Sequence, residues 1–246
     1  MQILKKFLML LLTGLAFTTF ADLNSGIPFE ADLYLKKQGF SLGYSYKYRQ
    51  AVWVAYTLTA EHLTAKQVRR KDNFRVDSAV TRHPVRPQDY VRSGYDKGHL
   101  APAADMTYSE TSMNNSFLMT NISPQIPGCN RGIWKRLESQ VRRWTLKEEE
   151  LYIITGPIFP RTPNRMKKSK IPIPSAFYKV ILDLTPPMKM IGFIIPNATS
   201  KRKLSAFAVS VDEVERLTGY DFFSDLDDDI ENSLEKTSNW QNWMKQ

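Results

Sequence analysis

The spacing of apolar and polar positions divides the chain into several strands and two well-marked helices. Residues 52–59, VWVAYTLT, are β-branched and aromatic-rich, which predicts a buried strand. Leu151 to Thr155, Phe177 to Leu184 and Ile191 to Ile195 are further strand segments, bounded by Gly156-Pro157, Pro186-Pro187 and Pro196-Asn197. A first helix is expected from Arg131 to about Lys147, with Asn130 as its N-cap. Its apolar stripe is Ile133, Trp134, Leu137, Val141 and Trp144. A second helix follows Ser210, which forms a capping box with Glu213, and it stops at Gly219. Ser112 to Met119 has weaker helical character. Residues 22–45 read as an irregular lead-in and 61–92 as polar, basic loop with short elements. Residues 157–175 carry five prolines and five basic residues and read as a stiffened basic loop. Strands and helices do not alternate regularly, so an α+β fold with a mixed, mainly antiparallel sheet is expected over a doubly wound parallel one.

Residues 1–21 have the pattern of a secretory signal peptide. Lys5 and Lys6 precede an apolar run from Phe7 to Phe17, and Thr19 and Ala21 are small residues ahead of a cut before Asp22. The run is too short for a comfortable membrane span, and no cysteine follows it to carry a lipid; an uncleaved N-terminal anchor is the competing reading. Residues 22–246 are expected to form a single exported domain, periplasmic or secreted, with no membrane anchor. Hydrophobic residues at 42% and charged residues at 24% exclude global disorder and fibrous repeats.

The net charge is +9. It falls to +7 without residues 1–21, because Lys5 and Lys6 leave and no acidic residue does. Such a surface attracts polyanions: nucleic acid, anionic membrane or acidic polysaccharide. The basic loop, with Arg161, Arg165, Lys167, Lys168 and Lys170, reads either as a solvated linker or as a phosphate-contacting rim. Cys129, the one cysteine, cannot form an internal disulfide and reads as a packed side chain. One cysteine and three histidines also exclude zinc fingers and HExxH metalloproteases.

The common catalytic templates are absent: no G-x-S-x-G elbow, no P-loop and no dinucleotide glycine fingerprint. Asp225 to Asp229 hints at calcium but lacks the EF-hand glycine and the final glutamate, and reads as a solvated helix start. His99 stands in Asp96-Lys97-Gly98-His99, where an imidazole, a cation and a glycine permitting close approach coincide. Asn121, Gln125, Asn130 and Glu138 follow within a short stretch. Asn130 and Glu138 are hard oxygen donors that suit Mg²⁺. Taken singly, Asn130 reads as a plain N-cap and Glu138 as an exposed helix carboxylate.

Together, YDKGHLAPAADM at 95–106, TNISPQ at 120–125, Asn130, Trp134, Leu137-Glu138 and VDEVERLTGYDFF at 211–223 resemble the DNA/RNA non-specific endonuclease family, over roughly residues 45–225. The resemblance implies a ββα-metal (His-Me finger) nuclease core within the antiparallel sheet. It implies cleavage of DNA and RNA with one divalent ion, usually Mg²⁺, with Mn²⁺ or another divalent ion as a substitute. By matching position, His99 would be the general base and Asn130 the metal ligand. Glu138 would hold a water of the ion, Lys97 would bring a cation to the phosphate, and Asp96, Asn121 and Gln125 would support the site. Lys97 stands where many relatives have Arg, and lysine cannot make the bidentate fork on phosphate. An upstream arginine is also implied near Phe74 to Asp77; Arg70 is chosen over Arg69 and Arg75. Products would carry 5′-phosphate and 3′-hydroxyl ends. The oligomeric state stays open, a homodimer included. A catalytically inactive nucleic-acid-binding protein and a phosphodiesterase acting on a non-polymeric ester are the competing functions.

Overall fold

The computed structural model describes residues 31–238 and 240–244, so the signal-peptide expectation lies outside the described residues. In chain order these form β1 (Leu33–Lys37), β2 (Phe40–Ser45), β3 (Gln50–Thr59), α1 (Ala60–Thr64), β4 (Asp96–His99), α2 (Glu110–Ser116), β5 (Ile122–Gln125), α3 (Lys135–Glu148), β6 (Glu150–Ile158), β7 (Ala176–Asp183), β8 (Lys189–Pro196), β9 (Ala208–Val209), α4 (Val211–Thr218), α5 (Asp228–Glu235) and α6 (Trp240–Met244). Seven strands make one antiparallel sheet in the order β1-β2-β3-β6-β7-β8-β9. β4 and β5 pair separately as a short antiparallel ribbon. The α+β expectation is met.

Strand alternation sends side chains to two faces, and both are covered. Tyr56, Ile153, Phe177 and Ile181 pack under the α3 stripe of Leu137, Val141 and Trp144, with Ile133 and Trp134 just before it and Trp243 of α6. Tyr152, Ile154, Tyr178, Val180 and Leu182 face the other way, against Val211 and Val214 of α4 and the pair Phe222-Phe223. Burial on both faces explains why the central strands read as near-continuous apolar runs.

Four boundaries differ from the sequence reading. Residues 33–45 are the β1–β2 hairpin, not irregular. β2, FSLGYS, is buried throughout, with Phe40, Leu42 and Tyr44 alternating with Ser41, Gly43 and Ser45. β6 runs through Gly156-Pro157 instead of ending there. Its pairing with β3 stops at Thr155, which leaves a side on which the missing proline N–H breaks no ladder bond. The short helix expected at Ser112 to Met119 lies earlier, at α2, where Ser109 caps it.

The fourth is the start of the first helix. Helical geometry begins at Pro127, and Cys129–Trp134 forms one wide turn with a kink at Gly132 (φ −106°, ψ −106°) ahead of α3. Asn130 is therefore not the N-cap. Asn197 closes that end instead, its Oδ1 accepting from the Ile126 N–H at 2.8 Å and its Nδ2 bonding the Pro124 and Pro174 carbonyls. The second helix starts and stops as its sequence dictates: Ser210 Oγ accepts from the Glu213 N–H, and Gly219 takes the left-handed C-terminal position (φ 75°). Only half of the capping box forms, because the Glu213 carboxylate turns to Arg216.

Candidate active site

The β4–β5 ribbon sets His99 opposite Ile122 and Gly98 opposite Ser123. A Cβ on Gly98 would overlap the Gln125 side chain, so the glycine is there to let the two strands close. Gln125 is fully buried and neither end of its amide has a partner. Asn121, also fully buried, clamps the turn after His99. Its Oδ1 accepts from the Ala101 N–H, and its Nδ2 donates to the Ala101 and Ser116 carbonyls, each at 2.9 Å.

Asp96 joins the ribbon to the wide turn. It accepts from Asn130 Nδ2 at 2.9 Å and from Arg131 through a bidentate pair at 2.8 and 2.6 Å. Burial pushes the Asp96 carboxyl up, but the bonds from Arg131 and Asn130 outweigh it and hold the group below its ordinary range. With Nδ2 committed, Asn130 presents an Oδ1 that has no hydrogen-bond partner among the described residues. A wide helical turn is a common device for aiming side chains at a site, and here it turns Asn130 toward the ribbon.

These elements enclose a cleft of about 420 Å³ lined by Arg70, Lys97, His99, Asn130, Glu138 and Arg142, among others. His99 sits between Phe74 and Phe117, with ring centroids 5.4 and 5.0 Å away, and its Nε2 is buried without a partner. Burial, reinforced by the Arg70 charge, lowers its pKa to about 3, so the ring is neutral at physiological pH. The same two aromatics carry the neighbouring cations. Arg70 lies over Phe117 at 5.3 Å and Lys97 over Phe74 at 4.8 Å. A larger hollow of about 610 Å³ between Arg49, Arg82, His83 and Arg86 lies apart, and none of the motif residues lines it.

Beneath Glu138 lies a buried polar cluster. Arg142, one turn further along α3, pairs with Asp105 at 2.7 Å, and Asp105 accepts from the Tyr56 hydroxyl at 3.0 Å. Lys179 of β7 is fully buried between the Tyr56 and Trp134 rings, and its Nζ has no hydrogen-bond partner. Burial and the Asp105 charge push the Glu138 carboxyl up, against the pull of Lys179 and Arg142. Burial in turn pushes Lys179 down.

Of the residues singled out in the sequence, the fold gathers His99, Lys97, Asn130, Glu138 and Arg70 around one cleft. Among the three arginine candidates, Arg70 lines it, whereas Arg75 is spent on the Asn114 carbonyl at 2.6 Å. Asp96, Asn121 and Gln125 stand behind. Arg161, Arg165, Lys167, Lys168 and Lys170 are exposed and do not line the cleft. Their loop is held by Met166 and Ile171, which pack with Ile122 of the ribbon. Arg142, Asp105 and Lys179 were not foreseen. The i, i+4 spacing from Glu138 could have pointed to Arg142, whereas nothing in FYKVILD marks Lys179 as buried beneath a carboxylate.

A ribbon bearing a histidine, set against a helix bearing an amide and a carboxylate, is the ββα arrangement of a metal-dependent nuclease. Comparison agrees: residues 22–229 match the DNA/RNA non-specific endonuclease family, and the chain belongs to it. A nuclease of Nostoc sp. is 37% identical over 212 residues, covering 81% of this chain and 76% of that protein. Human mitochondrial endonuclease G is 32% identical over 216 residues, covering 82% and 72%. A crystal structure of an EndoG/EndoGI complex superposes with a TM-score of 0.74 at 29% identity, covering 80% of this chain and 88% of that one.

Proposed function

We propose that the chain is an exported, Mg²⁺-dependent endonuclease that hydrolyses DNA and RNA with little sequence preference and leaves 5′-phosphate ends. The observation that carries this reading is the single cleft joining His99 of the ribbon to Asn130 and Glu138 of the helix, rimmed by cations. His99 is the general base: a neutral imidazole is ready to take the proton of an attacking water. Asn130 Oδ1 fits a hard divalent ion that keeps most of its waters, and Glu138 is placed to accept hydrogen bonds from those waters. When bound, the ion supplies positive charge that polarises the phosphate and favours departure of the 3′-oxygen. Arg70 and Lys97 oppose the charge of the phosphate, while Arg142 stays paired with Asp105 behind them. The exposed cations of the loop, from Arg161 to Lys170, extend the grip along the backbone. Contacts of that kind position a nucleic acid without reading its bases. Asp96 holds the ligand and Asn121 the turn after the base, while Gln125 packs against Gly98 beside it. Residues 1–21 are the export signal and 22–246 the single catalytic domain.

Cleavage of plasmid and of RNA by the purified protein tests this, with Mg²⁺, with EDTA, and with His99→Ala. Both polymers should be cut only with the metal, and His99→Ala should lose about 10²- to 10⁴-fold in rate while still binding plasmid. Full activity in EDTA or in His99→Ala would overturn the mechanism. Mature protein beginning at Asp22 would support export.

A further inference from the structure

The sheet face opposite α3 carries a second polar cluster that the nuclease chemistry does not use. Asp212 and Glu215 are three residues apart on α4 and share one face of it. Glu235 closes the last turn of α5. Carboxylate oxygens of these three residues all lie within 4.8 Å of one another. Asp212 is exposed and Glu215 half-buried, while Glu235 is only 6% exposed. Glu235 Oε1 is buried with no hydrogen-bond partner, and so is Oε1 of Glu231, one turn earlier on α5. None of the four pairs with a lysine or arginine among the described residues.

Such an arrangement repels itself unless protons or a cation neutralise it. Asp212 lies in the first turn of α4, where a carboxylate suits the helix dipole, but Glu235 lies in the last turn of α5, where it opposes the dipole. The donors are oxygens only, which selects a hard cation. Oxygens on opposite sides of Ca²⁺ stand up to roughly 5 Å apart, against about 4 Å for Mg²⁺, and Ca²⁺ tolerates irregular shells. The cluster also lies away from the cleft. Val211 and Val214 of α4 share their core with Tyr178 and Val180, whereas the α3 side packs on Phe177 and Ile181.

We propose that Asp212, Glu215 and Glu235 form a structural Ca²⁺ site that ties α5 to α4. Glu231 stands beside it as a further oxygen donor. The site is independent of the cation in the catalytic cleft. With three carboxylates and an open side at Asp212, its dissociation constant is expected on the order of 10⁻⁵ to 10⁻³ M, from the weakest sensor sites to extracellular modules.

The test is calorimetric titration of the metal-stripped full chain with CaCl₂, together with thermal unfolding in CaCl₂ and in EDTA. Both are run on the wild type and on Asn130→Ala, which removes the cleft ligand. Saturable Ca²⁺ binding and a higher Tm in both proteins, weakened at least about tenfold by Glu235→Gln, is the expected result. Asp212→Asn, at an exposed position, gives the same readout where Glu235→Gln does not fold. Absence of a saturable Ca²⁺ response in Asn130→Ala would show that protons alone neutralise the cluster and would overturn the proposal. Undiminished binding in both acidic variants would place the ion elsewhere and overturn it equally.

Discussion

Asp96→Ala isolates the link between the ribbon and the catalytic helix. In the native protein Asp96 holds Asn130 Nδ2 at 2.9 Å and the Arg131 guanidinium at 2.8 and 2.6 Å. Arg131 is 72% exposed, so solvent screens its pair and little stability rests on it. The bond from Asn130 to a largely buried carboxylate is worth about 1.5–3 kcal/mol, which sets the expected loss of folding stability. The effect on metal use should be larger in proportion. Without Asp96 the amide is free to turn its Nδ2 toward the cleft, and a ligand that loses its orienting partner costs about 10- to 100-fold in metal affinity or activity. The assay is plasmid nicking across a Mg²⁺ titration. Asp96→Ala should raise the Mg²⁺ midpoint by about 10- to 100-fold, with much of the rate recovered at high Mg²⁺. Arg131→Ala, which keeps the Asn130 bond, should shift the midpoint far less. A folded Asp96→Ala protein with an unchanged midpoint would refute the reasoning. An equal shift in Arg131→Ala would assign the link to the ion pair instead.

Two further expectations concern stability and reactivity. Asp77 is 3% exposed, and burial alone would raise its pKa, but bonds from Lys37, the Ala79 N–H and Thr120 hold it below its ordinary range. A depressed carboxyl stabilises the fold above its unfolded value of about 3.9, and that stability is lost as pH falls through the folded value. Asp77→Asn should therefore unfold at lower urea than the wild type at pH 7, by about 1–3 kcal/mol, with the gap closing below about pH 4; a gap independent of pH would contradict this. Cys129 is buried, donates to the Pro196 carbonyl at 3.6 Å, and burial pushes its thiol up to about 11. At pH 8 a thiol reagent should leave the native protein unlabelled while labelling the urea-unfolded chain, and prompt stoichiometric labelling of the native protein would be inconsistent with it.

The residues that carry chemistry were legible because they are dense in the sequence and polar where apolar residues would serve packing. His99, Lys97 and Asp96 sit on one four-residue strand, and Asn130 and Glu138 lie on one helical stretch, so short-range order already brings most of the cleft together. What escaped the reading depends on distant chain. Asn130 looks like an N-cap from local sequence, but helical geometry starts at Pro127, and Asn197, 71 residues beyond Ile126, secures the Ile126 N–H ahead of it. Hairpin β1–β2 was missed although Phe40, Leu42 and Tyr44 alternate with smaller residues, because the run is short and Gly39 and Gly43 weaken it as a strand signal. Lys179 was invisible as well. Within a buried strand a single lysine carries no sign of whether it bends to solvent or, as here, stays beneath Glu138 and Asp105.

The two faces of the sheet pose the same electrostatic problem and meet it differently. Under α3, the carboxylates Asp105 and Glu138 are matched by the cations Arg142 and Lys179, and the Tyr56 hydroxyl donates to Asp105. That cluster balances its own charge, so it can hold Glu138 at the cleft without help from an ion at depth. Removing Lys179 would leave two carboxylates against one guanidinium and favour a protonated Glu138, which accepts fewer hydrogen bonds from water. Under α4 and α5, Glu215 accepts from the Phe222 N–H at 2.7 Å, but none of Asp212, Glu215, Glu231 and Glu235 pairs with a lysine or arginine among the described residues. On the α3 face the chain supplies buried cations that oppose the upward push of burial and of Asp105 on Glu138. On the other face no lysine or arginine among the described residues pairs with the four carboxylates, and that asymmetry is the strongest argument that a cation from solution completes the second cluster.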